Sequence, residues 1–294
     1  MTAMRIAVTG LSGQVVSALI DRAPREVEII AMGRPQLDLA QRASVLSTLR
    51  ASRCDAVVNA AAYTAVDKAE SEPEAAMRIN GDGAGYVAEI AADLHVPLVH
   101  LSTDYVFDGR LDRPYREDDA TGPTGVYGRS KLAGEQKIAA VHPDHAILRT
   151  AWVYSPFGTN FVRTMLRLGE TRTEVGVVAD QRGNPTYAPD IADAVLTIAR
   201  RLRADRAPEL RGLFHMTGGG EATWADFAEA IFAEAQKYGR APVRVNRITT
   251  ADYPTPALRP ANSRLDNSRL QAVFGLALPD WQSSTAACVC RLLT

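Results

Sequence analysis

A tyrosine and a lysine four residues apart are the side chains of this sequence best suited to chemistry. Tyr127 and Lys131 stand in the segment Tyr-Gly-Arg-Ser-Lys, and residues at positions i and i+4 share one face of a helix. Because a nearby ammonium favours tyrosinate, Lys131 is expected to lower the pKa of the Tyr127 phenol from its reference value of about 10. A tyrosine of this kind can donate a proton to a carbonyl oxygen near neutral pH.

A serine–threonine–aspartate triplet precedes this pair, at the end of a predicted strand. Within Ser102-Thr103-Asp104, the Thr103 hydroxyl is placed to hydrogen-bond the same carbonyl oxygen. A tyrosine–lysine pair alone is frequent and usually consists of two surface residues. Its combination here with the strand-end triplet and with a glycine turn near the N-terminus favours Thr103, Tyr127 and Lys131 as a catalytic set.

The glycine turn reads Gly10-Leu11-Ser12-Gly13-Gln14-Val15-Val16, after a predicted strand and at the start of a helix. Gly10 permits a tight turn, and Gly13 lets the backbone approach a pyrophosphate at the helix N-terminus. A third glycine, which serves helix–strand packing, would fall at Val16, so the packing there is in question. Two glycines also occur in ordinary strand–helix turns, but their place at the first strand favours a dinucleotide site.

The second and third predicted strands end in residues that bear on the cofactor. An acidic residue after the second strand would bind the adenosine ribose and favour NAD, whereas this chain has Gly33-Arg34. Arg34 is either a surface arginine or the partner of a 2′-phosphate, so the sequence favours NADPH and leaves NADH open as a second donor. The third strand ends in Asn59-Ala60-Ala61-Ala62, and such small residues let a flat cofactor lie against the backbone.

Short runs rich in Val, Ile and Leu alternate with helix-length segments in the first half of the chain. This alternation predicts an α/β fold, a Rossmann-type doubly wound parallel sheet whose strands are buried on both faces. The predicted strands are Arg5–Thr9, Val27–Met32, Asp55–Ala60, Pro97–Ser102 and His145–Val153. The predicted helices between them include Glu74–Leu94 and one that runs from Tyr127 through Ile138.

The pattern loosens after Trp152, which predicts a smaller C-terminal substrate-binding cap. Residues 1–152 are expected to form mainly the NADPH-binding domain, and residues 153–294 mainly the substrate-binding region, interleaved with the last strands of the sheet. Thr223 is expected to cap a helix ahead of an Ala-rich run. The predicted elements of this half are the helices Phe161–Gly169, Asp190–Leu202 and Thr223–Tyr238 and the strands Leu213–Thr217 and Val243–Ile248.

The composition of the 294 residues excludes several other classes of function. A net charge of −1 provides no broad basic surface, so no nucleic-acid partner is expected. The three cysteines and five histidines lack the spacing of a disulfide framework or a metal site. No apolar run reaches membrane-spanning length, and no signal-peptide pattern precedes the first strand, so a cytoplasmic protein without membrane contact is expected.

Several longer motifs carry a family resemblance over nearly the whole chain. They include NAAAYTAVDKAESEPE, LSTDYVFDG, VYGRSKLAGE, LRTAWVY, DQRGNPTYAPDIA and YPTPALRPANSRLD. With these motifs the chain resembles the extended short-chain dehydrogenase/reductases and, within them, the dTDP-4-dehydrorhamnose reductases. The resemblance implies NADPH-dependent reduction of the C4 ketone of dTDP-4-dehydro-L-rhamnose to dTDP-L-rhamnose, the last step of dTDP-rhamnose biosynthesis.

The resemblance also implies roles for individual residues. Thr103, Tyr127 and Lys131 would be catalytic, and Asp104 and Trp152 would touch the sugar of the dTDP-linked substrate together with Thr103 and Tyr127. Asp38 and Leu39 would meet the adenine side of the cofactor. With the glycine turn and Arg34 included, the expected cofactor-binding residues are Gly10, Ser12, Gly13, Gln14, Val15, Gly33, Arg34, Asp38, Leu39, Ala62, Tyr63, Thr64, Tyr127 and Lys131.

One departure from the family pattern concerns assembly. Some relatives dimerise around a magnesium ion that is held partly by a carboxylate of the first helix, and the matching position here is Ala18, with Pro189 or Asp190 in the second such region. We therefore expect no metal, and a monomer or a weak homodimer.

Two other functions remain open at this point. Another nucleotide-sugar epimerase, dehydratase or reductase could use the same scaffold, although Arg34 and the C-terminal NSRLD segment argue against the first two. Dehydratases usually carry an acid pair beside the catalytic threonine, whereas Asp104 is followed here by Tyr105. A non-catalytic NADP-binding regulatory subunit is the second alternative, because a fold alone does not establish catalysis.

Overall fold

A computed structural model describes residues 3–294 and places a six-stranded sheet at its centre. The order across this sheet is β10-β5-β4-β3-β1-β2, and every neighbouring pair is parallel. The expected α/β fold with a parallel central sheet is therefore confirmed. The strands are β1 (Met4–Thr9), β2 (Val27–Met32), β3 (Ala56–Asn59), β4 (Leu98–Thr103), β5 (His145–Thr150), β6 (Val153–Tyr154), β7 (Glu174–Val178), β8 (Arg182–Gly183), β9 (Thr186–Tyr187), β10 (Gly212–His215), β11 (Ala222–Thr223) and β12 (Arg244–Ile248).

Helices lie between the strands in the first half and dominate the second. They are α1 (Gln14–Arg22), α2 (Arg42–Ser52), α3 (Val66–Ala69), α4 (Pro73–Ala76), α5 (Gly83–Asp93), α6 (Val126–Val141), α7 (Phe161–Gly169), α8 (Ala188–Ala204), α9 (Trp224–Gln236), α10 (Ser268–Phe274) and α11 (Trp281–Leu293). A π-helical turn, Met77–Asp82, joins α4 to α5. Single 3-10 turns occur at Asp104–Val106, Pro208–Leu210 and Thr250–Asp252.

Both faces of the central sheet are covered because successive side chains of a strand point to opposite faces. In β1, Ile6 and Val8 pack in a cluster with residues of α1 and α8, whereas Ala7 between them packs in a cluster with residues of α2 and α5. Burial on both faces explains why the strands are continuous apolar runs rather than alternating ones.

The C-terminal half of the chain contributes to the sheet and also builds a layer of its own. Strand β10 pairs with β5, with Gly212 opposite Ala146. The separate layer consists of α7, α9 and α11 around a core that includes Phe227, Ile231 and Val289. The predicted cap of α9 is confirmed, because the Thr223 hydroxyl accepts a hydrogen bond in a complete capping box.

The structure corrects two predicted elements. The fifth strand ends at Thr150 rather than Val153, because Trp152 takes the left-handed conformation at φ 47° and β6 pairs instead with β9. The predicted helix Glu74–Leu94 is divided by the π-helical turn. The wide turn carries Asn80, whose amide donates to the Tyr63 carbonyl and to the Ser130 hydroxyl of α6.

A buried ion pair holds α6 against the sheet. The Arg149 guanidinium of β5 donates two hydrogen bonds to the Glu135 carboxylate of α6, with N–O distances of 2.9 and 2.6 Å. The Ser102 hydroxyl of β4 donates to the same carboxylate. The side chains of Arg149 and Glu135 are only 3% and 6% exposed, so neither charge has water as an alternative partner.

Glu135→Gln is expected to lower the free energy of unfolding by about 3–5 kcal/mol, because it leaves the Arg149 charge buried without a counter-ion. Denaturant unfolding followed by circular dichroism measures this loss. Asp82→Asn is the matched control, because it breaks an exposed ion pair between Asp82 and Lys137, which lies on α6 like Glu135. We expect a loss of at most about 1 kcal/mol in the control. Equal losses in the two variants would contradict the anchoring role.

Candidate active site

The carboxyl ends of β1 to β5 open into a cavity of about 840 Å³. Its lining includes the glycine turn after β1, Gly33 and Arg34 after β2, and the alanines after β3. It also includes Thr103 and Asp104 at the end of β4, and Tyr127 and Lys131 of α6. The cavity therefore joins the predicted cofactor residues to the predicted catalytic set, at the sheet edge where open α/β folds bind their ligands.

The turn after β1 needs glycine at its first position. Gly10 has φ +105°, and its amide donates to the Met32 carbonyl oxygen at 2.6 Å. A Cβ atom on Gly10 would lie 3.0 Å from Cγ2 of Val16, the residue that replaces the expected third glycine. Val16 itself is only 2% exposed and belongs to the core between α1 and the sheet. The valine thus packs between α1 and the sheet, and the glycine turn still lines the cavity.

The N-terminus of α1 is suited to an anion. Gly13 is its N-cap and no side chain caps the first turn, so the helix presents free backbone amides beside the cavity. Ser12 and Val15 also line the cavity. The Gln14 side chain is used differently, because its carboxamide donates to the Val153 carbonyl at 3.3 Å and accepts from the Ser155 hydroxyl at 2.8 Å.

The residues expected around the adenosine and along the cofactor are brought to the cavity with one exception. Arg34 is exposed, and the ion pairs found within residues 3–294 do not include it. Asp38, Leu39, Ala62 and Thr64 also line the cavity. Tyr63 is not among the lining residues; its hydroxyl instead donates to the Glu72 carboxylate at 2.7 Å.

Thr103 and Asp104 form a buried polar pair at the end of β4. The Thr103 hydroxyl donates to Oδ1 of Asp104 at 3.0 Å, and it accepts from the Tyr105 amide at 3.2 Å. The other carboxylate oxygen, Oδ2 of Asp104, is buried without a partner within the described chain. Burial raises the pKa of Asp104 to about 6, against smaller opposing effects of the Ser263 and Thr103 hydroxyls.

The close approach of α6 to the turn after β4 sets the position of Tyr127. Gly128 is buried at this contact, and a Cβ atom there would clash with the Tyr105 carbonyl oxygen. The rings of Tyr105 and Tyr127 meet edge to face, with centroids 5.5 Å apart.

The expected lowering of the Tyr127 pKa is wrong for this structure. Burial raises the pKa of the Tyr127 phenol, and the Asp104 carboxylate raises it further, while the neighbouring Thr103 hydroxyl opposes both. Lys131 does not compensate, because its Nζ donates to the Leu101 carbonyl at 2.7 Å. Burial lowers the pKa of Lys131 to about 8, with Glu135 opposing. The lysine therefore carries less charge than the sequence pattern implies.

Trp152 connects the cavity to the C-terminal layer. Its indole stacks on Trp224, the first residue of α9, with ring centroids 3.6 Å apart and planes inclined by 10°. The ring also lies against Gly183, where no Cβ could be accommodated. Trp152 still lines the cavity and is partly exposed.

Two threonines of the cavity, Thr150 and Thr159, were not predicted from the sequence. Thr150 ends β5 and lines the cavity, and its buried hydroxyl has no partner within residues 3–294. A polar residue at the carboxyl end of a strand indicates a ligand contact. Because the strand was predicted to continue to Val153, Thr150 was placed inside it rather than at its end.

Neither a metal-binding cluster nor a membrane-spanning helix occurs among residues 3–294. Across residues 3–294, three or more His, Cys, Asp or Glu side chains do not come together as a group that could hold a metal ion. None of the helices in this range combines the length and the apolar character needed to cross a bilayer.

The residues of the cavity fit a dinucleotide. A glycine-only turn, an uncapped helix N-terminus and a cavity within the size range of ligand sites occur together at the carboxyl edge of the sheet. The fold and the site thus define an α/β dinucleotide-binding protein that carries a tyrosine–lysine pair beside the cofactor region.

Comparisons with known proteins specify the family. The family model described as RmlD substrate binding domain matches residues 4–294. A dTDP-4-dehydrorhamnose reductase of Sinorhizobium fredii is 53% identical over 99% of this chain and 98% of its own. The chain therefore belongs to the dTDP-4-dehydrorhamnose reductase family, as its motifs predict.

Solved structures agree with this assignment. A dTDP-4-dehydrorhamnose reductase from Clostridium acetobutylicum matches with a TM-score of 0.92 and 36% identity, over 99% of this chain and 100% of its own. The Bacillus anthracis enzyme, solved in complex with NADP, matches with a TM-score of 0.92 and 33% identity, over the same shares.

The raised pKa of Asp104 predicts a specific pH dependence of stability. The carboxyl group is neutral in both states below its unfolded pKa of about 4, and ionised in both above about 6. Between these values the folded protein binds the additional proton, so Asp104 makes the free energy of unfolding fall as pH rises, and the cost persists above about 6.

Asp104→Asn removes this cost. The free energy of unfolding of the variant minus that of the wild type is expected to increase by up to about 3 kcal/mol between roughly pH 4 and pH 7. Urea unfolding of both proteins across this range measures the difference. A difference that stays constant with pH would show that Asp104 ionises as freely in the folded protein as in the unfolded chain.

Proposed function

We propose that this chain reduces the C4 ketone of dTDP-4-dehydro-L-rhamnose to dTDP-L-rhamnose with NADPH, the last step of dTDP-rhamnose biosynthesis. The observation that carries the proposal is the cavity itself, which joins a glycine turn to Thr103, Tyr127 and Lys131. Membership of the reductase family supplies the substrate.

The N-terminal part of the chain, residues 1–152, holds the cofactor in this proposal. Free amides at the start of α1 take the diphosphate, and Gly33 leaves room beside it. Arg34 takes the 2′-phosphate, whereas Asp38 and Leu39 border the adenosine. The remaining contacts are the backbone around Ala62, Tyr63 and Thr64, with the Tyr63 side chain turned towards Glu72. NADPH supplies the hydride when it is bound.

Tyr127 provides the proton. Its raised pKa keeps the phenol protonated at neutral pH, so it can donate to the carbonyl oxygen as negative charge develops there. The Thr103 hydroxyl is the second donor to this oxygen. Lys131 holds the nicotinamide ribose.

The sugar lies between the strand ends and the cap formed mainly by residues 153–294. Asp104 has an unpartnered carboxylate oxygen that can accept a sugar hydroxyl. The partly exposed edge of the Trp152 indole contacts the pyranose, and its stacking on Trp224 fixes the position of that edge. The cap thus positions the substrate through the same tryptophan pair that packs it against the sheet.

The proposed oligomeric state and cellular location rest on the residues at two positions and on the net charge. Ala18 provides no carboxylate at the position where the first helix of some relatives holds magnesium, and Asp190 accepts a hydrogen bond from Ser284 at 2.5 Å. We propose a monomer or weak homodimer that needs no metal. A cytoplasmic location without nucleic-acid partners agrees with the near-neutral charge.

Tyr127→Phe keeps the ring and removes the acid. It is expected to lower kcat for the keto-sugar by about 10²–10⁴-fold, the usual contribution of general acid catalysis. NADPH absorbance measures turnover in a coupled assay that generates the keto-sugar, and fluorescence titration checks that cofactor affinity is retained. Tyr86→Phe, at a partly exposed ring on α5, is the control. Near-normal turnover in Tyr127→Phe would rule out this acid.

Arg34→Ala tests the choice of cofactor. Loss of a charge-assisted hydrogen bond to the 2′-phosphate should weaken NADPH binding by about 1.5–3 kcal/mol, or roughly 10- to 100-fold, with little effect on NADH. Calorimetric Kd values for both cofactors measure this difference. Arg42→Ala, which removes the α2 partner of an exposed ion pair with Glu89 of α5, is the control. Equal weakening of both cofactors would assign Arg34 to the surface.

A further inference from the structure

A chain of buried hydrogen bonds crosses the sheet and ends at Lys131. Its members are Thr9 at the end of β1, Asn59 at the end of β3 and His100 in β4, each at most 1% exposed. The Thr9 hydroxyl lies 2.7 Å from Oδ1 of Asn59, and Nδ2 of Asn59 lies 3.0 Å from Nδ1 of His100. Nε2 of His100 lies 3.3 Å from Nζ of Lys131. None of the three residues lines the cavity.

Two backbone amides determine the direction of this chain. The Thr9 oxygen accepts from the Ala60 amide at 3.1 Å and from the Ala61 amide at 3.0 Å. Both lone pairs of the hydroxyl are then in use, so its single proton is donated to Asn59. The accepting atom of Asn59 must be the carboxamide oxygen, and its amide group therefore donates to Nδ1 of His100.

The direction of the chain selects one tautomer of the histidine. A neutral imidazole whose Nδ1 accepts carries its proton on Nε2. The Nε2–H of His100 therefore points at Nζ of Lys131. A neutral amine has a lone pair that can accept this hydrogen bond, whereas an ammonium has none. Nζ keeps its donor role towards the Leu101 carbonyl in either form.

We propose that His100 is a positioning residue that donates Nε2–H to the Lys131 amine, fixes the position of Nζ and disfavours the ammonium form. The consequence for turnover rests on the proposed function, in which Lys131 binds beside Tyr127. If turnover uses the ammonium, activity is lost as pH rises through the Lys131 pKa. His100 then determines the pH at which activity is lost on the alkaline side of the pH profile.

The other charged groups around this pair are consistent with the assignment. Burial lowers the pKa of His100 well below its usual value, and Lys131 and then His145 of β5 lower it further, so the ring is neutral. Burial likewise lowers the pKa of Lys131, and the Glu135 carboxylate one turn along α6 opposes it. Arg149 of β5 forms an ion pair with Glu135, and its positive charge weakens the effect of the Glu135 carboxylate on the Lys131 pKa.

Nuclear magnetic resonance tests the tautomer directly. In ¹⁵N-labelled protein, long-range ¹H–¹⁵N correlations of the five histidines report which ring nitrogen is protonated. His100→Leu identifies the His100 signals by their loss, and if that variant does not fold, the spectra of His95→Gln, His142→Gln, His145→Gln and His215→Gln assign them by elimination. We expect a neutral ring with the proton on Nε2 at neutral pH. A proton on Nδ1 would overturn the proposal.

A pair of Thr9 variants tests the effect on Lys131 at a distance. Thr9→Val keeps the side-chain shape but removes the hydroxyl, so Asn59 can turn over and the His100 proton can move to Nδ1. Lys131 then faces an acceptor. Its titration midpoint, measured with ¹³C-labelled lysine, should rise by about one pH unit. Thr9→Ser restores the hydroxyl and should restore the wild-type midpoint.

The two readouts separate this proposal from the proposed function. The lysine titration is measured without substrate, and the alkaline limb of kcat/KM is measured with the keto-sugar and NADPH. An unchanged Lys131 midpoint in folded Thr9→Val would overturn the hydrogen-bond chain. A shifted midpoint in a protein that reduces no keto-sugar would instead count against the function and leave the chain intact.

Discussion

Helices cover both faces of the central sheet, and this burial confines polar chemistry to the edge where the strands end. Buried polar groups need partners, and within the sheet only a few side chains, such as Arg149 and His100, find them. The carboxyl edge is where side chains such as Thr103 and Thr150 can meet a ligand. The glycine turn after β1 opens at this same edge, so cofactor and substrate must share one cavity.

Positioning of α6 is the second requirement, because it carries both Tyr127 and Lys131. The Glu135 carboxylate ties the helix to two strands through Arg149 of β5 and Ser102 of β4, and Gly128 lets the first turn of α6 approach the end of β4. The tyrosine is thereby held in a partly buried position, and this burial raises its pKa. That environment favours a proton donor over a tyrosinate, which suits a reductase.

Local sequence patterns predicted much of this arrangement. The strands, the glycine turn and the tyrosine–lysine spacing are each encoded in one continuous segment of the sequence. Of the site residues predicted from these segments, all except Tyr63 line the cavity. What the sequence could not show depends on contacts between distant segments. The raised pKa of Tyr127 follows from burial among several elements. The hydrogen bonds from Thr9 to His100 join three separate strands, and no spacing along the chain encodes them.

The central claim is that this one cavity delivers hydride and proton to a single ketone. Its most direct test is incubation of the wild-type protein with dTDP-4-dehydro-L-rhamnose and NADPH deuterated at both C4 positions of the nicotinamide, followed by NMR of the product. The account predicts dTDP-L-rhamnose with deuterium at C4 of the sugar. A product without deuterium at that carbon, or cofactor that stays reduced, would contradict it.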